Sequence, residues 1–316
     1  MRYDFLDFAK GIGIILVVMG HSLFPLHQAI DIFHMPLFFF LAGLTLKKYD
    51  NLGHFIIKKA NRIIIPLLFF SFCSNVIEEL ISYQGPIFNG PLWFLYAMFG
   101  GIIIAEVVIK SVSHDKIIWM TLIIAVLIYV INKLEYSDII PFYLERSIRA
   151  SVFMLIGYIA QPWLLKTGPP KTNSLIIAFS FIIFYAVGLY LSMKYYKICG
   201  IFKTGEICNY SFVLFYATSL CGILATIYLC KIVNNIKIIN WLGCNSIVIM
   251  CTHFPFVEWL NKQLSTTAYY ISYGITGKIG LGLLAYTLTF LFCIPFIYVC
   301  KRCIPQFTGY EPLITT

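Results

Sequence analysis

Read as a string of apolar and polar positions, the chain is a succession of long apolar runs separated by short polar breaks. A helix needs roughly 17–25 apolar residues to cross a bilayer. Ten runs approach that length, near 8–26, 30–46, 62–83, 91–110, 117–132, 146–165, 174–193, 210–230, 238–260 and 277–300. The pattern predicts an all-α polytopic membrane protein with about ten transmembrane helices. The breaks are short, and Lys166–Lys171 (KTGPPK) reads as a tight turn rather than a linker. Residues 1–316 are therefore expected to form a single transmembrane domain with no separate soluble domain. The first run does not read as a cleavable signal peptide. Arg2 and Lys10 are balanced by Asp4 and Asp7, and no A-x-A site follows.

Composition narrows the class further. The chain is 60% hydrophobic, 17% aromatic and only 12% charged, with a mean hydropathy of +0.85. Soluble domains carry about 25% charged residues, so charge this sparse cannot coat a water-facing surface. A soluble enzyme, a disordered chain and a secreted disulfide scaffold are excluded. Most of the ten cysteines lie inside apolar runs, where they act as small hydrophobes. Cys199 and Cys208 share one loop and suit a disulfide if that loop meets an oxidising compartment. Cys300-x-x-Cys303 lacks the second pair of a metal site, and no metal is expected.

The formal charge of +9 has a direction. Ten spans put both termini on one side. With the N-terminus inside, cytoplasmic segments collect 15 of the 23 Lys and Arg residues but only six of the 14 acids. The positive-inside rule then places both termini in the cytoplasm. The whole net charge falls on that side. Basic residues gathered between apolar runs suit orientation in a membrane rather than nucleic-acid binding.

Ionisable residues inside spans are functional candidates. In LDFAKGIGIILVVMGHS, Lys10 and His21 stand eleven residues apart. At about 100° per residue that returns within about 20° of full turns, and the rise is roughly 16 Å. Both side chains lie on one stripe, with Gly13 and Gly20 smoothing a neighbouring face. A lone lysine there would merely snorkel; the stacked pair favours function. His34 in FHMPLFFFLAG and His253 in SIVIMCTHFPF reach a similar expected depth, so three imidazoles suggest a polar cavity, although either alone is as well explained by a structural hydrogen bond. His27, His54 and His114 fall in loops and are expected to be solvated.

HFIIKKANRIIIPLLFF is the most basic stretch. On a helix Lys58 and Arg62 share a face, with Lys59 three residues from Arg62. Such a cluster suits a phosphorylated ligand at the cytoplasmic mouth, or equally plain positive-inside anchoring. YLERSIRASVFMLIGY opens the sixth span with Glu145, Arg146 and Arg149 on the expected outer side, against the inside rule, which favours a functional or paired role.

These residues together resemble the acyltransferase-3 family of integral membrane O-acyltransferases. LDFAKGIGIILVVMGH is similar to the family's opening, in which a basic residue precedes a histidine by ten intervening positions. FHMPLFFFLAG resembles its second-span signature, with Ala42 where Ser is common. KKANRIIIP resembles its R-x-x-R…P element, PLWFL its aromatic fourth-span motif, and NWLGCNSIVIMCTHFPF its late Ser…His span. The matches run in family order from residue 2 to about 256. Lys10 stands where Arg is typical and Lys59 replaces the first Arg of R-x-x-R. Both keep the charge but lose the planar fork that grips phosphate in two places. With no extracellular esterase-like domain in view, the resemblance is to the stand-alone, polysaccharide or O-antigen O-acetyltransferase-like form.

The resemblance implies transfer of an acyl group, most simply acetyl, from cytoplasmic acyl-CoA to a hydroxyl of a cell-envelope glycan, lipid-linked or at the surface. Acetyl-CoA would set its phosphates at Lys58, Lys59 and Arg62 and run its arm along the Lys10–His21 stripe. His21, with an ordinary pKa of about 6.5, would act as general base. His34, Trp93, Arg146, Arg149 and His253 would orient the sugar or stabilise the oxyanion. A covalent intermediate on His21 or Ser22 is the mechanistic alternative. Membrane lipid is the remaining partner, no nucleic acid is implied, and the oligomeric state is left open. The rival class is a polytopic transporter or exporter of a glycan or small solute, which polar residues at mid-depth also suit.

Overall fold

Long apolar stretches leave the backbone no water to bond, so the chain satisfies its own amides as helices. The computed structural model describes residues 3–25, 27–81, 91–133, 144–166, 171–195, 211–233, 236–267 and 274–314, and among them every regular element is helical. In chain order these are α1 (Asp4–His21), α2 (His27–Asp31), α3 (His34–Leu44), α4 (Leu52–Ile81), α5 (Trp93–Ser111), α6 (Ile117–Lys133), α7 (Leu144–Leu164), α8 (Lys171–Tyr195), α9 (Ser211–Ile232), α10 (Lys237–Cys244), α11 (Ser246–Ser265) and α12 (Gly274–Cys303).

Each of the ten expected spans is occupied by helix. Two are broken: the second by a turn at Ile32–Phe33, the ninth at Asn245. Among the described residues, five stretches are long and apolar enough to cross a membrane, namely Trp93–Ser111, His114–Ile131, Thr172–Lys194, Phe212–Ile232 and Gly274–Cys303. Large apolar side chains stand outward on several of them, such as Trp119, Ile123 and Val126 on α6 and Ile176, Phe179 and Phe184 on α8. A helix apolar on its outer face as well as its inner one belongs in lipid or in a core. Cys199 and Cys208 lie outside the described residues.

The chain divides into two units interleaved in sequence. The first comprises residues 1–13, 28–48 and 100–244; the second comprises 14–27, 49–99 and 245–316. Helix α1 contributes Asp4–Gly13 to the first and Ile14–His21 to the second. Asp4 and Asp7 in its first turn and His21 in its last complement the helix dipole at both ends.

In the first unit, α3 packs on α7 and α9, α6 on α7, and α8 on α9. Glycine lets two of its helix pairs approach to backbone contact. A Cβ at Gly43 of α3 would lie 2.0 Å from the Met154 carbonyl oxygen of α7, and one at Gly157 of α7 would lie 2.3 Å from the Phe40 oxygen of α3. The same reciprocity ties α1 to α10: a Cβ at Gly11 would run into the Ile239 carbonyl oxygen, and one at Gly243 into the Asp7 carbonyl oxygen. Gly13, expected to offer a smooth face to a neighbour, admits the Phe38 ring of α3, which a Cβ there would meet at 2.9 Å. Where apolar lipid removes the hydrophobic drive, such close packing is what holds helices together. Gln161 of α7 reaches the end of α3, donating to the Gly43 and Leu46 carbonyls at 3.0 and 2.7 Å, which satisfies groups that a helix C-terminus leaves open.

In the second unit, α11 packs on α12 and on α4. The Phe256 and Phe292 rings stack at 4.0 Å between α11 and α12, and Thr252 lies 3.5 Å from the Cys293 sulfur.

Candidate active site

His21 closes α1 within the second unit. Its last-turn carbonyl has no donor further along the helix, and the side chain of Asn261 on α11 supplies one, Nδ2 donating to the His21 oxygen at 2.7 Å. Two turns earlier on α11, His253 brings its ring to 5.3 Å from that of His21, tilted by 40°. Phe254 meets the His21 ring edge-on at 5.2 Å. His21 is partly exposed, whereas His253 is fully buried.

The tautomer of His253 follows from its partner. Its Nδ1 lies 2.8 Å from the Ile249 carbonyl, an oxygen that can only accept, so Nδ1 carries the proton. In the neutral ring Nε2 is then the basic nitrogen. The pair can accept a proton at the partly exposed His21 beside an orienting, buried imidazole.

Two of the three expected imidazoles are thus brought together. His34 belongs to the first unit, where it is buried at the start of α3 and donates from Nδ1 to the Ile30 carbonyl at 2.8 Å, with the Asp31 carboxylate 3.9 Å away. His27, His54 and His114 are exposed, as expected of loop or helix-end residues.

Lys10 pairs with Asp7 at 3.5 Å and lines a cavity of about 330 Å³ in the first unit, together with Tyr3, Thr45, Lys47 and Gln161. A cavity with two lysines and several hydroxyl or amide groups suits an anionic ligand. On α7, Arg149 is 1% exposed and ion-paired with Glu145 one turn earlier, while Arg146 is partly exposed. Burial of a guanidinium requires such a partner, and Glu145 supplies it. Trp93 opens α5 in the second unit, edge-on to Phe94 at 6.4 Å.

The basic turn of α4 is also in the second unit. Arg62 and Lys58 are exposed. Lys58 stands over the Tyr49 ring and Lys59 over the Phe55 ring, each at 5.5 Å, and the two rings touch at 4.8 Å. Cation–π contact of this kind orders a lysine without neutralising it. Sequence reasoning missed Tyr49, Phe55, Asn61 and Asn261. Only Asn61 carried a local signal, as an asparagine in the middle of a cationic helix, where such residues are poor helix formers.

A family model described as an acyltransferase domain matches residues 3–301. No curated protein and no solved structure matches the chain.

Proposed function

Because the chain belongs to the acyltransferase-3 family, we propose that this membrane acyltransferase moves an acetyl group from cytoplasmic acetyl-CoA to a hydroxyl of a cell-envelope glycan, with His21 as general base. The observation that carries the reading is the His21–His253 pair: one imidazole partly exposed, the other buried beside it with its tautomer fixed.

His21 takes the proton of the acceptor hydroxyl as its oxygen attacks the thioester carbonyl. The tetrahedral intermediate collapses, the carbon–sulfur bond breaks, and the imidazolium returns the proton to the departing thiolate of CoA. His253 keeps its Nδ1 proton on the Ile249 carbonyl and holds its ring against His21. Ser22 is buried and donates to the Met19 carbonyl at 2.8 Å, which favours direct transfer over an acyl-serine.

The basic turn of Lys58, Lys59 and Arg62 suits the donor's phosphates; Lys10 is a proposed donor contact by resemblance alone. Trp93 and His253 suit the acceptor sugar in the same unit; His34, Arg146 and Arg149 are proposed acceptor contacts by resemblance alone. Apolar length favours ten spans, and with that count the charge distribution favours cytoplasmic termini; the resemblance favours an inner-membrane location.

Measuring glycan acetylation in a strain carrying His21→Ala tests the reading. Acetylation is expected to vanish while the protein accumulates in the membrane at the normal level. A fully acetylated glycan would overturn the assignment of His21.

A further inference from the structure

We propose that Asn61, through the C-terminal segment Ile304–Ile314 that it holds, is a positioning residue for Arg62 and sets the basic turn of α4 for the phosphates of the acyl donor. The proposal rests on reading Lys58, Lys59 and Arg62 as the donor site. The segment lies beyond residue 301, where the match to the family ends.

The attachment is built from Asn61 outward. Asn61 is 4% exposed, in a helix whose neighbouring positions are cationic. Its Oδ1 accepts from the backbone N–H groups of Leu313 and Ile314, both at 2.8 Å. Its Nδ2 donates to the Ile314 carbonyl at 2.9 Å and to the Ile57 carbonyl at 3.1 Å. Both atoms of the amide are thereby engaged twice, three times with the segment and once within α4. A buried amide used this fully cannot be shortened without stranding backbone groups.

A second tie lies one turn on. Pro66 has no N–H, so the Arg62 carbonyl lacks its usual donor in the helix. Gly309 packs there with φ +77°, and a Cβ at that position would lie 3.2 Å from the Arg62 oxygen and 3.1 Å from Pro66 Cγ. Both the left-handed backbone and the tight space favour glycine. The Phe307 ring completes the row, 5.5 Å from Phe69. At its other side the segment is fastened to the start of α11, where the Tyr310 hydroxyl donates to Asn245 Oδ1 at 2.7 Å, with Lys301 over the Tyr310 ring at 5.2 Å.

Asn61, Pro66 and Phe69 turn one side of α4 to the segment. Relative to Asn61, Lys58 lies about 60° round the helix, Arg62 about 100° and Lys59 about 160°. Fixing Asn61 therefore fixes the rotation of all three cations. Long cationic side chains lose much freedom on gripping a phosphate, and a backbone held in place reduces that loss. The expected consequence is donor affinity, not the rate of transfer from bound donor.

The test compares purified Asn61→Ala, a chain shortened from Leu313 onward, Arg62→Ala and wild type. The readouts are KM for acetyl-CoA, kcat, acceptor KM and the equilibrium affinity for CoA. Asn61→Ala and the shortened chain should each raise donor KM and weaken CoA binding by about tenfold, leaving kcat and acceptor KM unchanged. If Asn61→Ala does not accumulate, the shortened chain decides, since no helix residue is altered. Wild-type CoA affinity in these two proteins, with Arg62→Ala weakened, would reduce the segment to a structural tie and overturn the proposal. So would a fall in kcat or a rise in acceptor KM of the same size. Wild-type affinity in Arg62→Ala as well would overturn the donor site itself.

Discussion

The imidazole of His253 lies 5.3 Å from that of His21, on a helix that also caps the last turn of α1 through Asn261. His253 is therefore held from two sides, by its own helix through Ile249 and by the ring it faces. His253→Phe keeps the ring volume but removes the basic nitrogen. Transfer by the purified protein should fall by about 10²-fold with donor KM unchanged, the scale on which misplacing a catalytic group slows a reaction. A wild-type rate would leave His253 a packing residue.

Asn261 acts on the same pair through the backbone. Asn261→Leu removes the donor to the His21 carbonyl and should lower thermal stability in detergent by the equivalent of about 1 kcal/mol. It should also slow transfer several-fold, because the last turn of α1 carries the base. Full activity together with lowered stability would confine Asn261 to a structural role.

Gly43 and Gly157 make a sharper structural prediction. Each faces the backbone of the other's helix, with no flexible side chain to yield. Alanine at either position should lower stability by about 1–3 kcal/mol or more, seen as reduced folded yield and an earlier thermal transition. Gly53→Ala is the control. Its nearest neighbour is a side-chain oxygen of Asn51 at 3.3 Å, and it should stay within about 0.5 kcal/mol of wild type.

How much of this was legible in the sequence follows from what each signal is made of. Apolar length is local, so among the described residues helix occupies each expected span, though a turn breaks two of them and five stretches are long and apolar enough to cross a membrane. Helix α4 nevertheless starts at Leu52, ahead of the expected 62, because hydropathy marks lipid-facing length and the basic turn is helical without being apolar. The break at Asn245 is tied to a contact from Tyr310, far along the chain, which no window could show. Spacing within α1 put Lys10 and His21 on one stripe, and topology put His253 at a matching depth. Their meeting depends on tertiary packing. Gly13 and Gly20 stood out by their seven-residue spacing, and Gly13 does admit a ring of α3, but the backbone contact falls at Gly11, since the helix crossing decides which glycine meets a backbone. The segment on Asn61 had no sequence signature beyond an asparagine in an unfavourable place.

Arg149 and Glu145 permit the last prediction, which separates a structural from a substrate role. Arg149 is buried and paired within its own helix. Glu145→Gln removes the carboxylate but leaves the guanidinium in the interior, and breaking a buried pair in this way is worth about 3–5 kcal/mol. Replacing both, Glu145→Leu with Arg149→Met, removes the two charges together and should recover most of that loss. Thermal unfolding of Glu145→Leu, Arg149→Met and the double variant gives the coupling directly. Acceptor KM in the double variant then decides the role of Arg149. If the pair only holds α7 together, acceptor KM stays at the wild-type value in the refolded core. If Arg149 binds the sugar, acceptor KM rises at least about tenfold even though stability is restored, the scale of one lost charge-assisted hydrogen bond.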